Sequence, residues 1–129
     1  MTYFIAEICS NHLNSLNRSK KIIYKAREIG CDAVKFQLFE TTRLFSNLVL
    51  KKNKSLRNVK KLELSEKLIP ELSKYAKKIG IKFGCTPFYL EAIDFLNPYV
   101  DFFKIGSYEL LRKDLFIKCI SKKKHIIFS

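Results

Sequence analysis

Short apolar runs alternate along this chain with longer stretches whose apolar residues return at helical spacing. The runs predict strands over Tyr3–Cys9, Asp32–Gln37, Ile81–Thr86, Asp101–Gly106 and His125–Ser129. The intervening stretches predict helices over Leu16–Ile29, Ser65–Ile79, Tyr89–Leu96 and Arg112–Ser121. In the first of these, Leu16, Ile22, Ile23, Ala26 and Ile29 approximate one face. Gly30 and Gly80 each follow an isoleucine and stop a helix, Ser65 is placed to cap one, and Pro70 falls near a second turn, where it would bend the helix. Strand and helix in strict alternation predict βαβ units and a parallel sheet, with no domain boundary in the chain. The segment from Glu40 to Leu64 breaks the rhythm. It is long for a strand-to-helix loop and has room for a short helical turn, and a lid over the strand ends and a plain insertion are both open readings.

Three strands carry the same irregularity, a charged residue inside an apolar run. These are Glu7 in the first, Lys35 in the second and Lys104 in the fourth. Side chains in a strand alternate faces, so Val34 and Phe36 oppose Lys35, Phe103 and Ile105 oppose Lys104, and Ala6 and Ile8 oppose Glu7. Each strand therefore has one apolar face suited to packing under helices, and one face with an ionisable group toward its C-terminal end. In a parallel α/β barrel the latter faces point inward and the C-terminal ends ring the active site. That geometry gathers Glu7, Lys35, Gln37, Thr86, Lys104 and Ser129 at one mouth, with Ser107 and Glu109 on the loop that follows the fourth strand. An inward lysine is costly unless its charge is met. Two inward lysines beside a carboxylate predict an anion, phosphate or carboxylate, as the missing member. Taken singly, each residue has a plainer reading: a lysine snorkels, a glutamate pairs, and Thr86-Pro87 ends a strand.

Composition narrows the choices. Of 129 residues, 47% are apolar, sufficient for one domain with a real core. The net charge of +13 raises the question of nucleic acid. The lysines fall in scattered short groups without interleaved aromatics, which describes a solvated surface and gives no single-strand platform. No apolar run approaches a membrane span, and Glu7 interrupts the N-terminal run, unlike a signal peptide; a cytoplasmic protein is expected. Cysteines at 9, 31, 85 and 119 lack metal-site or redox spacing. They are expected to stay reduced, Cys31 and Cys119 as small core residues and Cys9 and Cys85 near strand ends, where packing or a pocket wall are open readings. His12 follows the first strand and His125 opens the fifth. They belong to opposite ends of the sheet and cannot share a metal, though His12 could border the mouth.

The blocks Ile5-Ala-Glu-Ile8 with Asn11-His12, Gly30-Cys-Asp-Ala-Val-Lys-Phe-Gln37, Cys85-Thr-Pro-Phe88, Phe103-Lys-Ile-Gly-Ser-Tyr-Glu109 and Ile126-Ile-Phe-Ser129 resemble the sialic acid synthase family in order and spacing. The resemblance implies the N-terminal part of a TIM (β/α) barrel, here about five parallel strands with intervening helices spanning residues 1–129. It implies condensation of phosphoenolpyruvate with an N-acyl amino-sugar aldehyde, giving a nonulosonic acid and phosphate. Lys35 and Lys104 would hold the phosphoenolpyruvate anion, with hydrogen bonds from Thr86, Ser107 and Ser129. Gln37 and Phe88 would line the pocket, Glu7 would contact the sugar, and Glu109 would act as acid/base or orient water. A divalent metal, manganese or magnesium, is implied as well, with ligands outside this chain, as is a C-terminal antifreeze-like domain that the chain lacks. The implied partners are a second copy of a full-length form or a complementing barrel half. Two departures stand out: the usual glycine after the Asn-His element is absent, and Tyr108 replaces a small residue. Rival readings are another phosphoenolpyruvate-dependent aldol-type synthase and a non-catalytic basic binding fragment.

Overall fold

A computed structural model of the chain describes residues 2–129. Five strands form one sheet in sequence order: β1 (Ile5–Glu7), β2 (Ala33–Leu38), β3 (Lys82–Pro87), β4 (Phe102–Ile105) and β5 (His125–Phe128). Every neighbouring pair is parallel. The principal helices are α1 (Leu16–Glu28), α5 (Ile69–Ile79), α6 (Leu90–Leu96) and α7 (Lys113–Ser121). Consecutive parallel strands, each connection crossing through a helix, make a β/α half-barrel, as the strand and helix periodicities predict. Among the described residues no helix is long and apolar enough to cross a membrane.

The core lies between the sheet's outer face and the helices. Val34, Phe36, Phe83, Phe103 and Ile105 from the strands meet Ile23, Ala26, Leu72, Ala76, Ile93 and Leu115 from the helices. The wholly apolar strand faces are thus the ones under the helices, and the faces bearing Glu7, Lys35 and Lys104 form the concave interior. Burying a core side chain of this size contributes about 1.5–3 kcal/mol, so this layer fixes which way each strand faces. A one-residue slip would send Phe36 into the interior and Lys35 into the core.

The element ends differ from the predicted ones for local reasons. β1 is confined to Ile5–Glu7 because Cys9 turns left-handed, φ +48°, and ends the extended run. Gly30 and Gly80 occupy left-handed φ, as helix-stopping glycines should. Ser65 does not cap a long helix. It precedes a 3₁₀ turn over Glu66–Leu68 without a side-chain cap, and α5 restarts at Ile69. Pro70 thereby sits in the first turn of α5 and imposes no bend, because its missing N–H is unpaired there in any helix. The long β2–α5 connection contains three short helices, α2 (Thr41–Leu44), α3 (Asn47–Lys52) and α4 (Lys54–Asn58). It is tied down at its base. Glu63 accepts from the Thr41 N–H, the Tyr89 hydroxyl donates to Glu66, and Arg43 bridges Glu40 and Glu91.

All four cysteines are free. Cys119 is buried as expected, whereas Cys31 is only half-buried. Cys85 pairs in register with Phe36 and so faces the helices; it lines no mouth. Burial pushes its thiol up to about 12, which leaves it protonated and inert.

Candidate anion site at the strand ends

The register brings the charged residues into line. Glu7 is the Cα partner of Lys35, Lys35 of Gly84, and Gly84 of Phe102. Lys104 lies two residues beyond Phe102 on the same face, paired with Ile127. Glu7 joins both lysines: Oε2 lies 2.5 Å from Lys35 Nζ and Oε1 3.6 Å from Lys104 Nζ. Lys35 is 2% exposed, Lys104 22% and Glu7 44% by side chain. Two cations and one carboxylate leave a single positive charge, and the more buried cation has little water to solvate it. A carboxylate or phosphate at this place would satisfy the excess.

Gln37 and Thr86 are register partners one step nearer the C-terminal ends, on the same face. Thr86 is 1% exposed, and its Oγ1 has no hydrogen-bond partner. A buried hydroxyl left unpaired costs about 1–3 kcal/mol, a cost that a bound oxyanion would remove. Phe88 is half-buried and stacks edge-on against Phe39, with ring centroids 5.9 Å apart. Beyond β4 a 3₁₀ turn spans Ser107–Glu109. Ser107 and Tyr108 are exposed within it, while Glu109 is buried at 6% exposure. The Glu109 Oε2 lies close against the Gly106 backbone without a partner. Burial raises its carboxyl above the usual range, with the Arg112 guanidinium opposing in part. Ser129 follows β5 with the parity of Ile127 and is exposed. Of the residues singled out from the sequence, ion pairs join Glu7, Lys35 and Lys104. Gln37 and Thr86 share their face, and Phe88, Ser107, Glu109 and Ser129 lie beyond the strand ends.

His12 is buried at 1% exposure, with its ring 6.1 Å from that of Phe36, on the helix side of β2. Its Nδ1 accepts from the Asn14 N–H at 2.9 Å, and burial lowers its pKa. It therefore braces the β1–α1 loop. In that loop Leu13, φ +46°, and Asn14, φ +51°, hold left-handed backbone without a glycine. His125 is exposed at the opposite end of the sheet, beside Lys82 and Asp101. Among the described residues no three His, Cys, Asp or Glu side chains are grouped to hold a metal ion.

Two features were not read from the sequence. Arg112 Nη1 donates to the Phe88 carbonyl at 3.0 Å, fastening the β3 and β4 loops together. The Phe102 ring rests directly on Gly84. A glycine in the middle of a strand was the available signal for the second.

Fold and site together define a class: a parallel β/α half-barrel with Glu7, Lys35 and Lys104 joined by ion pairs on its concave face. A profile of the NeuB family matches residues 22–129, and the chain belongs to that family. It is 38% identical over 139 residues to N,N'-diacetyllegionaminic acid synthase of Campylobacter jejuni, covering 99% of this chain and 42% of that protein. It is 38% identical over 129 residues to an uncharacterized protein of Methanocaldococcus jannaschii, covering 99% of this chain and 37% of that one. The crystal structure of N-acetylneuraminic acid (sialic acid) synthetase from Leptospira borgpetersenii matches with a TM-score of 0.87 at 26% identity, over 98% of this chain and 43% of that one. The resemblance to sialic acid synthases read from the sequence is borne out. The chain spans well under half the length of these relatives.

Proposed function

We propose that this chain supplies the phosphoenolpyruvate-binding part of a barrel enzyme that condenses phosphoenolpyruvate with an N-acyl amino-sugar aldehyde, releasing phosphate and a nonulosonic acid. The observation that carries this reading is the trio of Glu7, Lys35 and Lys104 with its one unmet positive charge, beneath the unpartnered hydroxyl of Thr86. Lys35 and Lys104 hold the substrate's carboxylate and phosphate, and Thr86, Ser107 and Ser129 donate hydrogen bonds to them. Gln37 and Phe88 line the walls. Carbon 3 of phosphoenolpyruvate attacks the aldehyde carbon, water adds to carbon 2, and the C–O bond to phosphate breaks. Glu7, half-exposed on the open side of the trio, faces the arriving sugar. Glu109, held toward its protonated form by burial, serves as the acid/base or orients the water. The divalent metal that the family implies would polarise the aldehyde carbonyl, and its ligands would lie outside the described residues, none of which are grouped to hold it. The chain acts as the N-terminal portion of its barrel, residues 1–129, completed by further β/α units or a complementing half and working as a homodimer in the full-length form.

Calorimetric titration of the full chain with phosphoenolpyruvate tests this reading. Saturable binding is expected, weakened at least tenfold in Lys35→Ala and in Lys104→Ala and unchanged in Lys51→Ala. Equal loss in all three variants, together with salt-sensitive oligonucleotide binding, would instead support a basic binding fragment.

A further inference from the structure

We infer that Phe102 is a positioning residue for Lys35, and that Gly84 is the seat that lets it act. This deepens the proposed function and rests on that reading for the identity of the anion alone. The row Glu7, Lys35, Gly84, Phe102 runs unbroken across four strands at one level of the interior. A methyl group on Gly84 would lie 2.1 Å from the tip of the Phe102 ring and 2.3 Å from its Cε2. The ring therefore reaches sideways across β3 into the space that Gly84 vacates, next to Lys35. Phe102 is 4% exposed, although it stands on the concave face of a sheet with open edges.

A separate depression, lined by Tyr3, Lys82, Asp101, Phe102, His125 and Ile127, runs from the N-terminal ends of the strands up along β5. Phe102 and its register partner His125 touch it, whereas Glu7, Lys35 and Gly84 do not. Because the ring lies over Gly84, the register partner of Lys35, and also lines the depression, it stands between that opening and the lysine. With that side covered, the Lys35 ammonium, 2% exposed, stays turned to Glu7. Excluding water from beneath also raises the strength of its field at the place where an anion binds. Lys104, two residues further along β4 and more exposed, does not depend on the ring in this way.

The test reads Lys35 without any ligand. In the full chain labelled with 15N-lysine, solvent exchange of the Lys35 ammonium protons is measured by NMR in the wild type and in Phe102→Ala, with Lys104 as the internal reference. Exchange at Lys35 is expected to rise at least tenfold while Lys104 changes less than twofold. Phe102→Leu, which refills most of the space, should return Lys35 to within threefold of wild type. If urea titration shows the alanine variant to be unfolded, Phe102→Val is used, with at least a threefold rise expected. A folded variant in which Lys35 exchanges as in the wild type overturns the inference, and so does an equal rise at both lysines. Phosphoenolpyruvate affinity is measured on the same samples and should fall about tenfold in Phe102→Ala. A wild-type chain that binds no phosphoenolpyruvate would end the proposed function and leave the exchange result to stand or fall alone.

Discussion

Replacing Glu7 by glutamine isolates the electrostatic cost stored in the trio. The substitution keeps the shape and removes the charge that meets Lys35, a cation 2% exposed with its partner at 2.5 Å. Stripping the partner from a fully buried pair costs about 3–5 kcal/mol. Glu7 itself is 44% exposed, so water already screens part of the attraction and the expected loss falls to roughly 2 kcal/mol. Lys35→Met should behave differently. It fills the same space without a charge to desolvate, so its stability is expected within about 1 kcal/mol of wild type. The double variant should recover most of what Glu7→Gln loses, a coupling that two independent sites would not show. Urea unfolding followed by circular dichroism reads all four proteins, with a common slope required before midpoints are compared. If Lys35→Met is as damaging as Glu7→Gln, Lys35 is a structural element and its charge is incidental. Should Glu7→Gln leave the midpoint unmoved, the ammonium is solvated and the anion site loses its basis.

Three further outcomes follow from the geometry. Thr86→Val removes a buried hydroxyl that has no partner, so the free chain should be equally or more stable, by up to about 1 kcal/mol, while phosphoenolpyruvate binding by calorimetry weakens roughly tenfold. Glu109 has a folded pKa raised above its ordinary 4.5 by burial, so its contribution is fully present below that pH and lost as pH rises through the folded value. Glu109→Gln should therefore gain on wild type between pH 4.5 and neutrality in parallel urea titrations, and show no advantage at lower pH. Leu13 holds a left-handed φ of +46° with its side chain 58% exposed, so Leu13→Gly should raise stability by roughly 0.5 kcal/mol; a clear drop in the thermal midpoint would show that the side chain packs.

Period two was enough to place Glu7, Lys35 and Lys104 on one face, because a buried apolar face on the other side leaves a strand only one register. The same rule put Thr86 beside Gln37. It could not reveal that Glu109 is buried while neighbouring Ser107 and Tyr108 are exposed, since a 3₁₀ turn points successive residues in different directions. Helix periodicity ran through Ser65–Leu68 because their pattern fits a helix. The backbone restarts at Ile69 so that Pro70 falls in the first turn, where it costs nothing. The three short helices between Glu40 and Val59 carry few buried side chains and so leave little periodic signal. Phe102 over Gly84 is a contact between strands, invisible to any window along one of them.

The most direct measurement is a phosphoenolpyruvate titration of the 15N-lysine-labelled chain, following every ammonium resonance at once. Convergence of Lys35 and Lys104 on one anion predicts that both shift together, with a single dissociation constant, while the surface lysines stay in place. Shifts distributed over the surface lysines, with Lys35 silent, would contradict it.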